Sequence, residues 1–83
     1  MLSGIVEIDV HGMQTEDAVR VIVEKVGCVP GSVYRIRIIH GYHGGTRIRS
    51  AIREEFGYGR SLKVRRIEMG QNPGITELVL REF

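Results

Sequence analysis

Tryptophan is absent from this 83-residue chain, cysteine occurs once, at Cys28, and proline twice. A lone cysteine excludes an intramolecular disulfide framework and fits a reduced compartment. It also leaves a thiolate metal site without a second thiol, so Cys28 reads as a small buried or half-buried hydrophobe. No segment approaches the roughly 18 apolar residues of a membrane span. No basic stretch followed by an apolar run marks a signal peptide at the N-terminus. The expectation is one domain over residues 1–83, near the lower size limit for independent folding, in the cytoplasm and with no membrane partner.

Negative charge is missing from one long stretch. After Glu24 the next acidic residue is Glu54, and between them lie Lys25, Arg35, Arg37, Arg47, Arg49 and Arg53. The formal net charge is only +2, yet ten of the twelve basic residues are arginine. Arginine presents a planar fork that fits phosphate oxygens two at a time. A block of this kind points to a phosphate-bearing partner such as DNA or RNA; the bland alternative is a solvated surface laced with salt bridges.

What is present falls into alternating elements. Gly4 to Val10 has the period of two of a strand, with Val6, Ile8 and Val10 on one face and Glu7 and Asp9 on the other. Thr15 then suits a helix N-cap, with Glu16 and Asp17 in the first turn. The run AVRVIVEKV is rich in β-branched residues. The cap, the acidic first turn and the recurrence of Ala18, Ile22 and Val26 decide for a helix that Gly27 ends. Tyr34 to Ile39 alternates again. Thr46 caps a second helix with the stripe Ile48, Ala51, Ile52 and Phe56, and Gly57 stops it. Strands are expected at Leu62 to Met69 and Ile75 to Phe83, joined by the turn Gly70-Gln71-Asn72-Pro73-Gly74. The order βαβαββ makes an α/β domain of two layers, a four-stranded mixed sheet carrying two helices on one face. Each strand–helix–strand unit is expected to place its strands as parallel neighbours.

One phrase occurs twice: an apolar strand, His-Gly, a loop, then a threonine before a helix. It reads I8-D9-V10-H11-G12…T15 and R37-I38-I39-H40-G41…T46. If the first two strands are parallel, His11 and His40 lie at the same sheet edge, where open α/β sheets place ligands. Helix starts with unpaired amides lie there as well. Gly41, Gly44 and Gly45 allow close backbone approach and positive φ. Phosphate suits such a spot.

These segments carry a resemblance. IDVHG, IIHGYHGGTRIR and NPGITELVL, in that order, resemble the Smr (small MutS-related) domain, and the likeness covers nearly the whole chain. Asp9, His11 and Gly12 stand at the Asp, His and Gly of the family's first motif. His40-Gly41 and Ile48-Arg49 fit its second, in which His43 stands where glycine is common and the loop is about one residue longer. Gly74-Ile75-Thr76 looks like its closing Gly-x-Thr strand. The resemblance implies a fold similar to the C-terminal domain of a bacterial translation initiation factor. It also implies nucleic-acid binding, often with endonuclease activity on DNA or RNA, and in some members an association with stalled ribosomes. It implies Asp9 and His11 as the functional pair.

Phosphodiester cleavage without a metal needs a base, an acid and positive charge for the developing dianion. His11 is the expected acid–base group, with Asp9 fixing its tautomer or binding a divalent metal such as magnesium. His40 is expected either as a second imidazole or as a brace for the loop backbone. Gly41, Tyr42, His43, Gly44, Gly45, Thr46, Arg47 and Arg49 form the expected nucleic-acid-binding loop, with Tyr42 free to stack on a base or simply to pack. Arg35 and Arg37 either widen the binding surface or are solvated. Two other readings stay open: a non-catalytic RNA- or ribosome-binding module using the same loop, and a protein-interaction domain in which the arginines are incidental. Neither an oligomeric state nor a choice between DNA and RNA follows from the sequence.

Overall fold

The computed structural model describes residues 4–41, 46–57 and 61–81. Six elements follow in the order β1 (Ile5–Asp9), α1 (Thr15–Cys28), β2 (Arg35–Ile39), α2 (Arg47–Phe56), β3 (Arg66–Met69) and β4 (Ile75–Val79). They form a four-stranded mixed sheet under two helices. Ala18, Ile22 and Val26 from α1, and Ile52 and Phe56 from α2, share one core with Ile8, Ile36, Ile38 and Leu78 of the sheet. The helix stripes and the strand alternation read from the sequence therefore face each other. Among the described residues no helix is long and apolar enough to cross a membrane.

The strand order is β1-β2-β4-β3. β1 and β2 are parallel neighbours, as expected, but β2 and β3 are not neighbours: β4 lies between them, antiparallel to both. Burial explains the choice. Thr76, Glu77, Leu78 and Val79 are all buried, which suits a central strand, whereas β3 exposes Arg66 and Met69, which suits an edge. β3 is also four residues shorter than expected at its start, because Leu62 to Arg65 is irregular.

Helix ends differ by small, explicable amounts. Thr15 is already helical, Gln14 occupies the cap, and neither cap residue, Gln14 or Thr46, makes a side-chain cap bond. Thr46 sits at φ −116° and ψ 19°, away from the extended conformation in which an N-cap hydroxyl reaches the following amides. α1 runs through Gly27 to Cys28 and stops at Val29, whose ψ is 144°. Val29 precedes Pro30, and the residue before proline is pushed out of the helical region. Cys28 is exposed rather than buried.

Candidate functional site

The two His-Gly phrases end side by side. Parallel pairing carries Asp9 opposite Ile39, and the Val10 amide extends the ladder by donating to the Ile39 carbonyl at 2.9 Å. A Cβ built on Gly41 would lie 3.7 Å from the Cβ of His11. The repeated glycine has one physical cause at both tips: Gly12 has φ +80° and Gly41 φ +75°, a region that side chains disfavour.

The two imidazoles nevertheless live in different surroundings. The His11 side chain is 69% exposed, whereas His40 is 7% exposed. Oδ1 of Asp9 accepts two hydrogen bonds from His11, one from the backbone amide at 3.1 Å and one from Nδ1 at 2.6 Å. A carboxylate only accepts, so Nδ1 carries the proton and Nε2 is the nitrogen left for chemistry. The hydrogen bond to Asp9 and its charge raise the His11 pKa above the usual imidazole value, and the same bond lowers that of Asp9.

His40 has neither nitrogen to spare. Its Nδ1 donates to the Gly41 carbonyl at 2.8 Å, and its Nε2 lies 2.7 Å from the Thr76 hydroxyl, buried. In the neutral ring this fixes the tautomer: Nδ1 donates, and Nε2 accepts from threonine. The brace expected as one of two roles for His40 is the one its geometry supplies.

Thr76 ties the third motif to the other two. The Gly74 carbonyl accepts both the His40 and the Gly41 amides, each at 2.9 Å. Gly74 itself is held by Asn72, whose Oδ1 accepts its amide at 2.8 Å. The segment NPGIT therefore buttresses the second His-Gly tip. The sequence marks Gly74 and Thr76 only as part of a closing motif and Asn72 only as part of a turn, with no expected role in the site. The signal was a polar side chain at a core-facing position of β4, a residue that must find a partner when buried.

The two helix starts also differ. α1 opens with Glu16 and Asp17, which satisfy its positive end with the chain's own carboxylates. α2 has no acidic residue in its first turn and carries Arg47, exposed, and Arg49, half-buried. Only α2 is electropositive in both dipole and side chains. Thr46 is exposed and Gly41 half-buried at the loop's two ends. Tyr42, His43, Gly44 and Gly45 lie outside the described residues.

Arg35 and Arg37 do not belong to this site. They lie on the helix-free face, where β4 and the edge strands bring them carboxylates from far along the chain. Arg37 Nε donates to Glu77 at 3.0 Å and its Nη1 to Glu7 at 3.2 Å. Arg35 bonds both Glu77 and Glu68. The acid-free stretch of the sequence is thus partly neutralised in space, and the pairings raise the pKa of both guanidiniums further. Among the described residues, no three His, Cys, Asp or Glu side chains gather as a metal site would require. Asp9 is the carboxylate at the tip that a divalent cation could approach.

Comparison with known proteins supports the fold that this arrangement defines: it is the two-layer fold of an Smr domain. The chain is similar to the crystal structure of the Smr domain of Thermus thermophilus MutS2, with a TM-score of 0.79 and 23% identity, over 93% of this chain and 99% of that one. No protein-family model and no curated protein matches the sequence.

Proposed function

We propose that this chain is an Smr domain that binds DNA or RNA and cleaves its phosphodiester bonds with the Asp9–His11 pair. One observation carries the reading. An exposed imidazole is oriented by a carboxylate at 2.6 Å, at the strand edge from which the carboxylate-free start of α2 also rises. In the neutral ring, His11 Nε2 takes the proton of the attacking hydroxyl. The new phosphorus–oxygen bond forms as the bond to the leaving oxygen breaks, and that oxygen is protonated by the imidazolium or by water. Asp9 holds the tautomer and stabilises the imidazolium. Arg47, Arg49 and the amides opening α2 offset the dianion. The loop from Gly41 to Thr46, including Tyr42, His43, Gly44 and Gly45, supplies the remaining contacts to the strand. His40 and Thr76 act through that loop as positioning residues.

The test compares wild type with His11→Ala on labelled single-stranded RNA and on duplex DNA, with and without a chelator. Cleavage by wild type, lost in the variant while binding persists, supports the reading. A second reading, binding without cleavage, draws support from the buried, doubly bonded state of His40, which leaves one imidazole for the chemistry among the described residues. Binding with no cleavage of any substrate selects it. Binding that ignores salt concentration counts against both, since phosphate contacts release counterions.

A further inference from the structure

From charge pairing, cleft lining and helix geometry we infer that the bound strand leaves the His11 site along the β3-facing flank of α2 and is held there as a single strand, in two adjoining cationic clefts that share Arg65. The inference rests on the nucleic-acid reading above and extends it. The first cleft, about 280 Å³, lies between α2 and β3; Arg53, Arg65 and Arg66 line it over a floor of Phe56, Val64 and Ile67. The second, about 360 Å³, has Lys63, Arg65 and Arg81 around Val33, Leu62 and Leu80. It sits at the opposite end of the sheet, where the Leu80 amide meets the Tyr34 carbonyl at the start of β2. Among the described residues neither cleft is lined by a carboxylate, although Glu54 and Glu55 belong to the same helix.

Arg49 and Arg53 are four apart on α2, so they rise one above the other, about 6 Å apart, on the flank that also bears Phe56. That row starts in the first turn of α2 and enters the first cleft. Among the described residues, Arg49, Arg53, Arg65 and Arg81 form no ion pair. Lys63 spends one donor on the Val26 carbonyl at 3.2 Å, and Arg66 is committed to Glu68. Cations without acidic partners, beside an apolar floor, match a single strand: its phosphates meet guanidiniums and an unstacked base covers the floor. A duplex hides its base faces and gains nothing from that floor.

The experiment measures binding of labelled single-stranded RNA of about four and about twelve nucleotides, the range over which such grooves engage strands. Wild type should bind the long oligonucleotide more tightly than the short one. Arg53→Ala with Arg65→Ala should erase that gain and leave short-strand binding and the melting temperature unchanged. The salt slope for the long strand should fall by about 1.4, at 0.7 per lost phosphate contact. Lys63→Ala with Arg81→Ala should remove a smaller part of the gain, and Arg53→Lys with Arg65→Lys should restore most of it. An unchanged length dependence in the first double variant overturns the track. So does displacement of the long strand by poly-glutamate as readily as by unlabelled RNA. If the short strand fails to bind wild type while the double variant still weakens the long one, the proposed site fails and the track stands. If neither strand binds wild type, both fail.

Discussion

His11 and His40 stand at equivalent places in a repeated phrase, each followed by a glycine at positive φ, yet one ring is open to solvent and the other is a strut bonded at both nitrogens. The difference lies in what each strand has beside it. β1 is an edge strand, so the tip after Asp9 meets solvent and its nearest partner is the carboxylate two residues back. β2 is interior, so the tip at His40 meets the turn entering β4 and is bonded by Gly74 and Thr76. An interior strand end must satisfy its polar groups within the protein, whereas an edge strand end can leave them for a ligand.

Substitutions can break or sharpen this contrast. The largest effect is expected at His11, the acid–base group of the proposed reaction. His11→Ala should lower the cleavage rate by about 10²–10⁴-fold with almost no change in melting, because the ring is exposed. At the strut the signs reverse. His40→Ala should lower unfolding free energy by about 2–4 kcal/mol, read by denaturant titration, since it removes two bonded nitrogens and leaves a hole. Thr76→Val keeps the volume and strands Nε2, for a loss of about 1–3 kcal/mol. An unchanged stability in both variants would remove the strut role.

The smallest effect concerns pH. Donation of the Nδ1 proton to Asp9 raises the His11 pKa, so in the proposed reaction a base that must be neutral becomes active only as pH climbs through that raised value. Asp9→Asn should move the ascending limb of the pH–rate profile to lower pH while reducing the rate at its plateau. A limb that stays put would mean that Asp9 does not set the protonation of His11.

The arginines teach a parallel lesson. Arg35 and Arg37 read as free cations in the sequence because no acidic residue lies near them along the chain, and β4 supplies Glu77 to both. Glu77 is itself 7% exposed. Glu77→Gln should cost about 1–3 kcal/mol of stability, less than for a fully buried pair because both guanidiniums keep water contact. Arg53, a member of the same acid-free stretch, and Arg65, which lies outside it, instead stay exposed beside α2.

Local patterning was enough to read the element order, the helix stripes and the parallel start of the sheet, because period, turn residues and the right-handed crossover act within a few tens of residues. It placed His11 at a strand end two residues from Asp9, while the pairing of the two as functional residues came from the resemblance to the Smr domain. It misplaced β4, whose central position depends on which of two hairpin strands buries more surface. It left the role of His40 open and gave Thr76 no role beside it, because the bond between them closes across 36 residues of chain. Whether a polar side chain is a tool or a fastening is set by the neighbours that long-range pairing brings to it. Those neighbours exist only once the sheet has formed.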